Sequence, residues 1–332
     1  MKKKLIAILS LLLIAALLVG CGSSAAPAQE AAPAQEAAPA EEAAPAEEAA
    51  PTKAELYRTI QEAFQSDLVG QYLIAKYSEA FIPAFDYAVT EYSNEELLAL
   101  IDGYKSEEAG KTVVTVGVCG ASNDHWKACQ YVLDQNEANI YIKLVEFDAY
   151  NLPNEALNSG DIDLNSFQHK AYLANEVNSQ GYEIETIFDT LMAPLTLYSR
   201  QFDSVDALKA AAEASADPIK IGIPDDATNG GRAIKLLESV GLISVDPAAG
   251  WVPELKDVTE YLYNIEIVPT QANTLPATLD DFGGATINGT YAIPTGLVPS
   301  PDGLAIESQA DATGDSGNPF VNVVVARTSD LA

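Results

Sequence analysis

Downstream of Lys111 the chain alternates between two periods. Short apolar runs of period two are separated by stretches in which apolar positions recur every three or four residues. Thr112 to Val118 predicts a strand, Asp124 to Leu133 a helix, and Ile140 to Phe147 the next strand. That β-α-β order implies a parallel sheet with a right-handed crossover. Asn151 to Pro153 breaks the pattern, and Asn154 can cap a short helix through Leu157. Gly160 ends that helix, and Asp161 to Phe167 alternates again. Further strands are predicted at Tyr182–Phe188, Leu195–Ser199, Ile219–Ile223, Ile265–Val268, Ala285–Ile287 and Phe320–Val325. Helices are predicted at Val205–Ala212, from the 228–229 region to Val240, and over Leu275–Asp281. The fold class is α/β.

Upstream of that body, Leu56, Ile60, Phe64, Leu68, Tyr72 and Leu73 sit at helical spacing and predict one helix over Lys53–Ser78. The extended apolar segment Phe81-Ile82-Pro83-Ala84-Phe85 ends it. Asp86 to Gly110 is a polar connector with one short helical pattern, Asn94–Ile101. Gly22 to Thr52 repeats Ala, Pro, Gln and Glu, too rich in proline for a helix and too polar to seed a core. It predicts a semi-extended acidic tether.

Residues 1–20 have the form of a targeting segment. Lys2, Lys3 and Lys4 precede an apolar run from Leu5 to Val19, short of the ~20 residues that span a bilayer. Leu18-Val19-Gly20-Cys21 resembles the lipobox of bacterial lipoproteins, in which the equivalent of Cys21 is lipidated and becomes the first mature residue. Acyl chains there would anchor the chain, palmitate being a typical one, at ~0.8 kcal/mol per buried CH₂.

The formal net charge of −30 excludes nucleic acid as a partner, since phosphate binding needs clustered Lys and Arg. It also argues against electrostatic adhesion to anionic lipid. Three cysteines are too few for a disulfide scaffold. Cys119 and Cys129 either form a disulfide or remain small buried groups. His125 and His169 are the only histidines, and no H-x-x-x-H or C-x-x-C spacing points to a metal. Cys119 and His169 lack an orienting third group, so the chain is read as not an enzyme, with no cofactor.

Two segments carry candidate binding chemistry. Phe167, His169 and Tyr172 follow a strand directly, and loops beyond strand carboxyl ends are where open α/β sheets bind ligands. Pro224 to Arg232 is the second wall: Thr228 or Asn229 can cap the following helix, and Gly230 and Gly231 allow close backbone approach. The helix N-terminus favours an anion, and Arg232 adds a bidentate donor for a carboxylate, or else pairs with a carboxylate of this acidic chain. Asn288 ends a strand and Asn322 lies inside one. Each could meet the ammonium and carboxylate of an amino acid, or serve as a turn residue and a backbone-bonded amide respectively.

LPNEAL, GDID and FQHKAYL, from positions 152, 160 and 167, with IPDDATNGGRAI, ATINGTYA and NPFVNVVVAR in order, resemble the NLPA/MetQ family of methionine-binding lipoproteins. The resemblance covers about Lys111 to Arg327. It implies a two-lobed periplasmic-binding-protein-like fold of type II, with the ligand in the interlobe cleft. One lobe would comprise 111–198 and 289–332, and the other 199–288. It implies a substrate-binding lipoprotein on the extracytoplasmic face of the cell membrane, delivering methionine or a related amino acid to the permease of an ABC importer. Phe167, His169 and Tyr172 would surround the thioether; Arg232 would hold the carboxylate; Asn229, Asn288 and Asn322 would bond the amino-acid backbone. The alternatives are a binding protein for another small amphipathic metabolite, and a surface adhesin or interaction lipoprotein.

The sequence departs from the family pattern at Ala171, at Asp226-Ala227 and through CGASNDHWKAC from Cys119. It departs also in order. Family members continue past the equivalent of Arg327 with a helix and a short extended segment, whereas this sequence ends at Ala332. ELYRTIQEAFQSDLVGQYL and FIPAF, between positions 55 and 85, resemble that tail. The expectation is a circular permutation, with 53–110 holding the tail helix and its connector against the first lobe.

Overall fold

A computed structural model describes residues 50–308 and 318–332. The expected signal segment, Cys21 and nearly all of the tether lie outside the described residues. Among those described, no helix is long and apolar enough to cross a membrane.

The chain begins with helix α1 (Lys53–Phe64), capped by Thr52 in a reciprocal bond with Glu55. The single helix expected over 53–78 is two. Ser66 starts helix α2 (Asp67–Tyr77) by accepting from the Val69 N–H at 3.4 Å. The apolar spacing runs through the break because both helices bury the same side, with Ile60, Phe64, Val69, Tyr72 and Leu73 at 0% exposure. They pack on helix α4 (His125–Gln135), where the rings of Phe64 and Trp126 are 4.9 Å apart. Helix α3 (Asn94–Gly103) precedes α4 and is anchored in the same core by Leu97 and Ile101.

Two sheets form the body. The six-stranded sheet contains β1 (Ile82–Pro83), β2 (Thr112–Cys119), β3 (Ile140–Phe147), β4 (Leu164–His169), β5 (Ile184–Met192) and, from the far end of the chain, β13 (Val321–Arg327). Its order is β1-β5-β13-β4-β2-β3. Strand β2 is parallel to β3 and β4, and β13 runs antiparallel between β4 and β5. Helices α5 (Pro153–Ser159) and α6 (Lys170–Gln180) flank β4, and glycines in the left-handed region, Gly160 and Gly181, end them.

The second sheet contains β6 (Thr196–Tyr198), β7 (Ile219–Pro224), β10 (Ile265–Thr270), β11 (Gly284–Ile287) and β12 (Gly303–Ile306), in the order β10-β7-β11-β6-β12. Strands β8 (Ile243–Val245) and β9 (Val258–Tyr261) make a separate antiparallel pair. Helices α7 (Val205–Ala214) and α8 (Ala227–Ser239) share this sheet's core through Leu208, Ala233, Ile234 and Leu237.

Two expectations are corrected. Thr196–Tyr198 and Gly303–Ile306, within the segments 111–198 and 289–332 expected to form one lobe with the first sheet's strands, pair in the second sheet. Thr196–Tyr198 is buried at all three positions and so carries no period that says which sheet it joins. The helix expected over 275–281 is only a 3₁₀ turn at Leu279–Asp281, and the Thr278 hydroxyl donates back to the Thr274 carbonyl at 3.0 Å.

The start of α1 lies against the end of the chain. Lys53 Nζ is 3.1 Å from an Asp330 carboxylate oxygen, and the Tyr57 hydroxyl is 3.4 Å from the same oxygen. Strand β1 then pairs antiparallel with the edge of β5.

Candidate functional site

The family-like motifs around β4 first build a scaffold. Asn154, Asn165 and Gln168 are buried and satisfy one another: the Gln168 amide donates to Asn154 at 2.6 Å and to Asn165 at 3.0 Å, and Asn154 donates back to Gln168 at 2.9 Å. Buried amides cost free energy unless paired, so this closed set fixes the end of β4 against α5. Asn154 is therefore not the helix cap that its position suggested. Asp163 is likewise structural, accepting from the Thr115 N–H and hydroxyl at 2.9 and 2.7 Å.

With β4 fixed, His169 becomes the hinge of the site. It caps α6, its Nδ1 accepting from the Tyr172 N–H at 3.1 Å. The proton is then on Nε2, which donates to Asn229 Oδ1 at 3.2 Å. Burial pushes the His169 pKa down to about 3, with the Arg232 charge adding to the effect and the Asn229 bond opposing it. Burial alone takes His125 down to about 3 as well.

Both histidines therefore stay neutral in the folded chain, while the unfolded chain protonates near the ordinary 6.5. Below that value the unfolded state binds protons that the folded state refuses, so stability falls as pH falls from 6.5 towards 3. The slope is about 1.4 kcal/mol per pH unit per histidine. Urea unfolding between pH 6.5 and about pH 4 should show this loss, and His125→Phe should make it shallower by one histidine's share. Equal slopes for both chains would contradict the assignment.

The second wall is α8. Its N-cap is Asp226, which accepts from the Asn229 N–H at 2.9 Å. The helix end expected to attract a ligand anion thus already holds a carboxylate of the chain, and neither Thr228 nor Asn229 is the cap. The glycines that follow are approached by the chain itself. A Cβ on Gly231 would lie 2.8 Å from the Val252 backbone, and one on Gly230 would lie 2.9 Å from the Pro224 carbonyl. They pack α8 rather than admit a ligand.

Asn229 and Arg232 project from the first turns of α8 and are each 2% exposed. Asn229 is a junction. Its Oδ1 accepts from His169, from Arg232 Nη1 at 3.2 Å and from Asn288 Nδ2 at 2.9 Å, while its Nδ2 donates to Asp226. Asn288, at the end of β11, keeps a buried Oδ1 that has no partner among the described residues. Arg232 pairs with Glu307 and donates from Nη2 to the Ala193 carbonyl at 3.1 Å, and the Phe320 ring lies 4.7 Å from its guanidinium carbon. Asn322 is opposite His169 in the β13–β4 register.

Phe167, His169, Tyr172, Asn229, Arg232, Asn288 and Asn322, all named from sequence, line a single small cavity. Tyr150, Gln168, Ala193 and Thr290 complete it. Its polar end is Arg232, Asn229 and Asn288. Its other end is aromatic: Tyr150 is 6.0 Å from both Phe167 and Tyr172, which are 5.9 Å from each other. Sequence reasoning missed Tyr150, although it lies just beyond the carboxyl end of β3, where the loop rule already pointed. It missed Glu307 too, whose neighbours in sequence carry no signal.

Cys119 and Cys129 are free, and burial raises both thiols well above their ordinary range. Among the described residues no group of His, Cys, Asp and Glu could hold a metal.

Residues 114–332 match the family described as NlpA lipoprotein. The chain belongs to that family. It is 36% identical over 232 residues to the D-methionine-binding lipoprotein MetQ of Yersinia pestis, covering 69% of this chain and 80% of the relative. The crystal structure of the methionine-binding protein MetQ superimposes with a TM-score of 0.59 at 36% identity, over 66% of this chain and 84% of the other. A nutrient-binding protein from Burkholderia cenocepacia, solved bound to methionine, gives 0.57 at 32% identity, over 66% and 86%. The α/β fold is thus that of the MetQ-type substrate-binding proteins, and this member of the NlpA family is a binding protein rather than an enzyme.

Proposed function

We propose that this chain is the substrate-binding lipoprotein of an ABC importer, held by a lipidated Cys21 on the extracytoplasmic face of the cell membrane, and that it binds methionine or a closely related amino acid. The observation that carries the ligand class is the polarity of the cleft. One end offers the Nη1 edge of Arg232 and the unpartnered oxygen of Asn288; the other is a box of Tyr150, Phe167 and Tyr172. An α-carboxylate suits the guanidinium and an α-ammonium suits the bare oxygen. A thioether suits the rings, at ~0.3–1.5 kcal/mol per sulfur-aromatic contact. Asn229 would act by positioning Arg232 and Asn288, since its oxygen already has three donors. Asn322 lines the cavity where it could meet the ligand backbone.

On this reading the segments around the two sheets act as two lobes that close on the ligand, and the closed form is offered to the permease. Lys53–Phe85 would do the work of the tail that the relatives carry at their ends, and the contact of Lys53 with Asp330 supports this permutation. Calorimetry with both enantiomers of methionine and a panel of other amino acids tests the function. One-to-one binding of a methionine enantiomer in the nM–μM range, about −12 to −8 kcal/mol, is expected. The absence of heat with every amino acid, with no amino acid released from the denatured protein, would overturn it.

A further inference from the structure

Arg232 does not wait in the cleft as a bare charge. Its Nε donates to Glu307 Oε1 at 3.1 Å, and Nη2 pairs with Glu307 Oε2. Glu307 is itself fastened to the chain segment entering β6: its N–H donates to the Leu195 carbonyl at 2.8 Å, and its Oε2 accepts from the Leu195 N–H at 3.1 Å. Nη1 donates to Asn229, which lines the cavity with it. Among the described residues, Arg232 is the single Lys or Arg lining that cavity. Its charge is matched by Glu307 directly, and the carboxylate of Asp226 stands one amide further back, bonded to Asn229 at 3.0 Å.

We propose, building on the amino-acid reading above, that Glu307 is a specificity-determining residue that sets which ligand charge the cleft accepts. The guanidinium and Glu307 together are neutral, so the site suits a zwitterion whose two charges cancel. With Asp226 included it leans negative, so a ligand that keeps its ammonium but lacks the carboxylate is tolerated better than one that keeps only the carboxylate. Coulomb energies between buried charges are several-fold larger than in water at the same separation, which makes one uncancelled charge decisive. A bare Arg232 would have the opposite preference.

The test uses three ligands of nearly one shape: methionine, methioninamide below neutral pH where its amine is protonated, and the 2-hydroxy analogue of methionine, an anion. Affinities are measured by calorimetry for the wild-type chain and for Glu307→Gln. Wild type should bind the amide more tightly than the hydroxy acid. Glu307→Gln should shift the ratio of the two by about tenfold or more towards the hydroxy acid, because the anion gains while the cation loses. A loosened site would weaken both ligands together and leave the ratio unchanged, which would overturn the proposal. Wild-type preference for the hydroxy acid would overturn it without any variant. A wild type that binds none of the three would instead overturn the amino-acid reading on which it rests.

Discussion

Arg232→Ala should bind methionine at least about 10- to 150-fold more weakly than the wild type. A charged hydrogen bond is worth about 1.5–3 kcal/mol and tenfold in affinity is about 1.4 kcal/mol, and the loss of the guanidinium also frees the contact that orients Asn229. The same substitution should lower stability, since removing one partner of a buried ion pair leaves the other charge uncompensated, at about 3–5 kcal/mol. Glu307 is the charge left behind. The two effects separate in the double variant Arg232→Met, Glu307→Leu. Replacing both members of a buried pair by apolar groups is often neutral, so the melting temperature should recover while methionine affinity does not. If the double variant regained affinity together with stability, Arg232 would be a structural residue and the carboxylate would sit elsewhere. Calorimetry and thermal melts on the same preparations decide between these.

The second large effect concerns Lys53–Phe85. Its deletion should abolish cooperative folding. Ile60, Phe64, Val69, Tyr72 and Leu73 are fully buried in one core with Trp126 and Leu133. Burying such side chains contributes about 1.5–3 kcal/mol each, so the five together rival the 5–15 kcal/mol of a typical domain. Reattaching the same segment after Ala332, with the leader joined directly to Asp86, should restore both the melt and methionine binding. Lys53 already touches Asp330, so the new junction asks for no rearrangement. Loss of folding in the deletion but no rescue by reattachment would remove the permutation while leaving the segment's packing intact. An unchanged melting temperature after deletion would remove both.

Much of this was legible in the sequence, for physical reasons that differ by residue. Strands β2 and β3 match the expectation to within a residue, because short runs rich in Val, Ile and Thr favour strands. The loop rule gathered Phe167, His169 and Tyr172 on one corner, and the run from Pro224 to Arg232 supplied the facing wall. What the sequence hid were partnerships. Asp226 rather than Thr228 caps α8, because any of several side chains there could fold back on the helix end. Arg232 could be matched to a carboxylate in principle but not to Glu307, 75 residues away. The membership of Thr196–Tyr198 was equally closed to inspection, since three buried residues fit either sheet.

The closeness of Lys53 and Asp330 has a practical side. The first turn of α1 and Asp330 meet at one spot on the folded body. A reporter or affinity handle added after Ala332 would start beside the first turn of α1, where Lys53 bonds Asp330. A handle meant for display or immobilisation would do better inserted at the exposed bend that begins at Leu262, just after β9 and remote in sequence from Lys53 and Asp330.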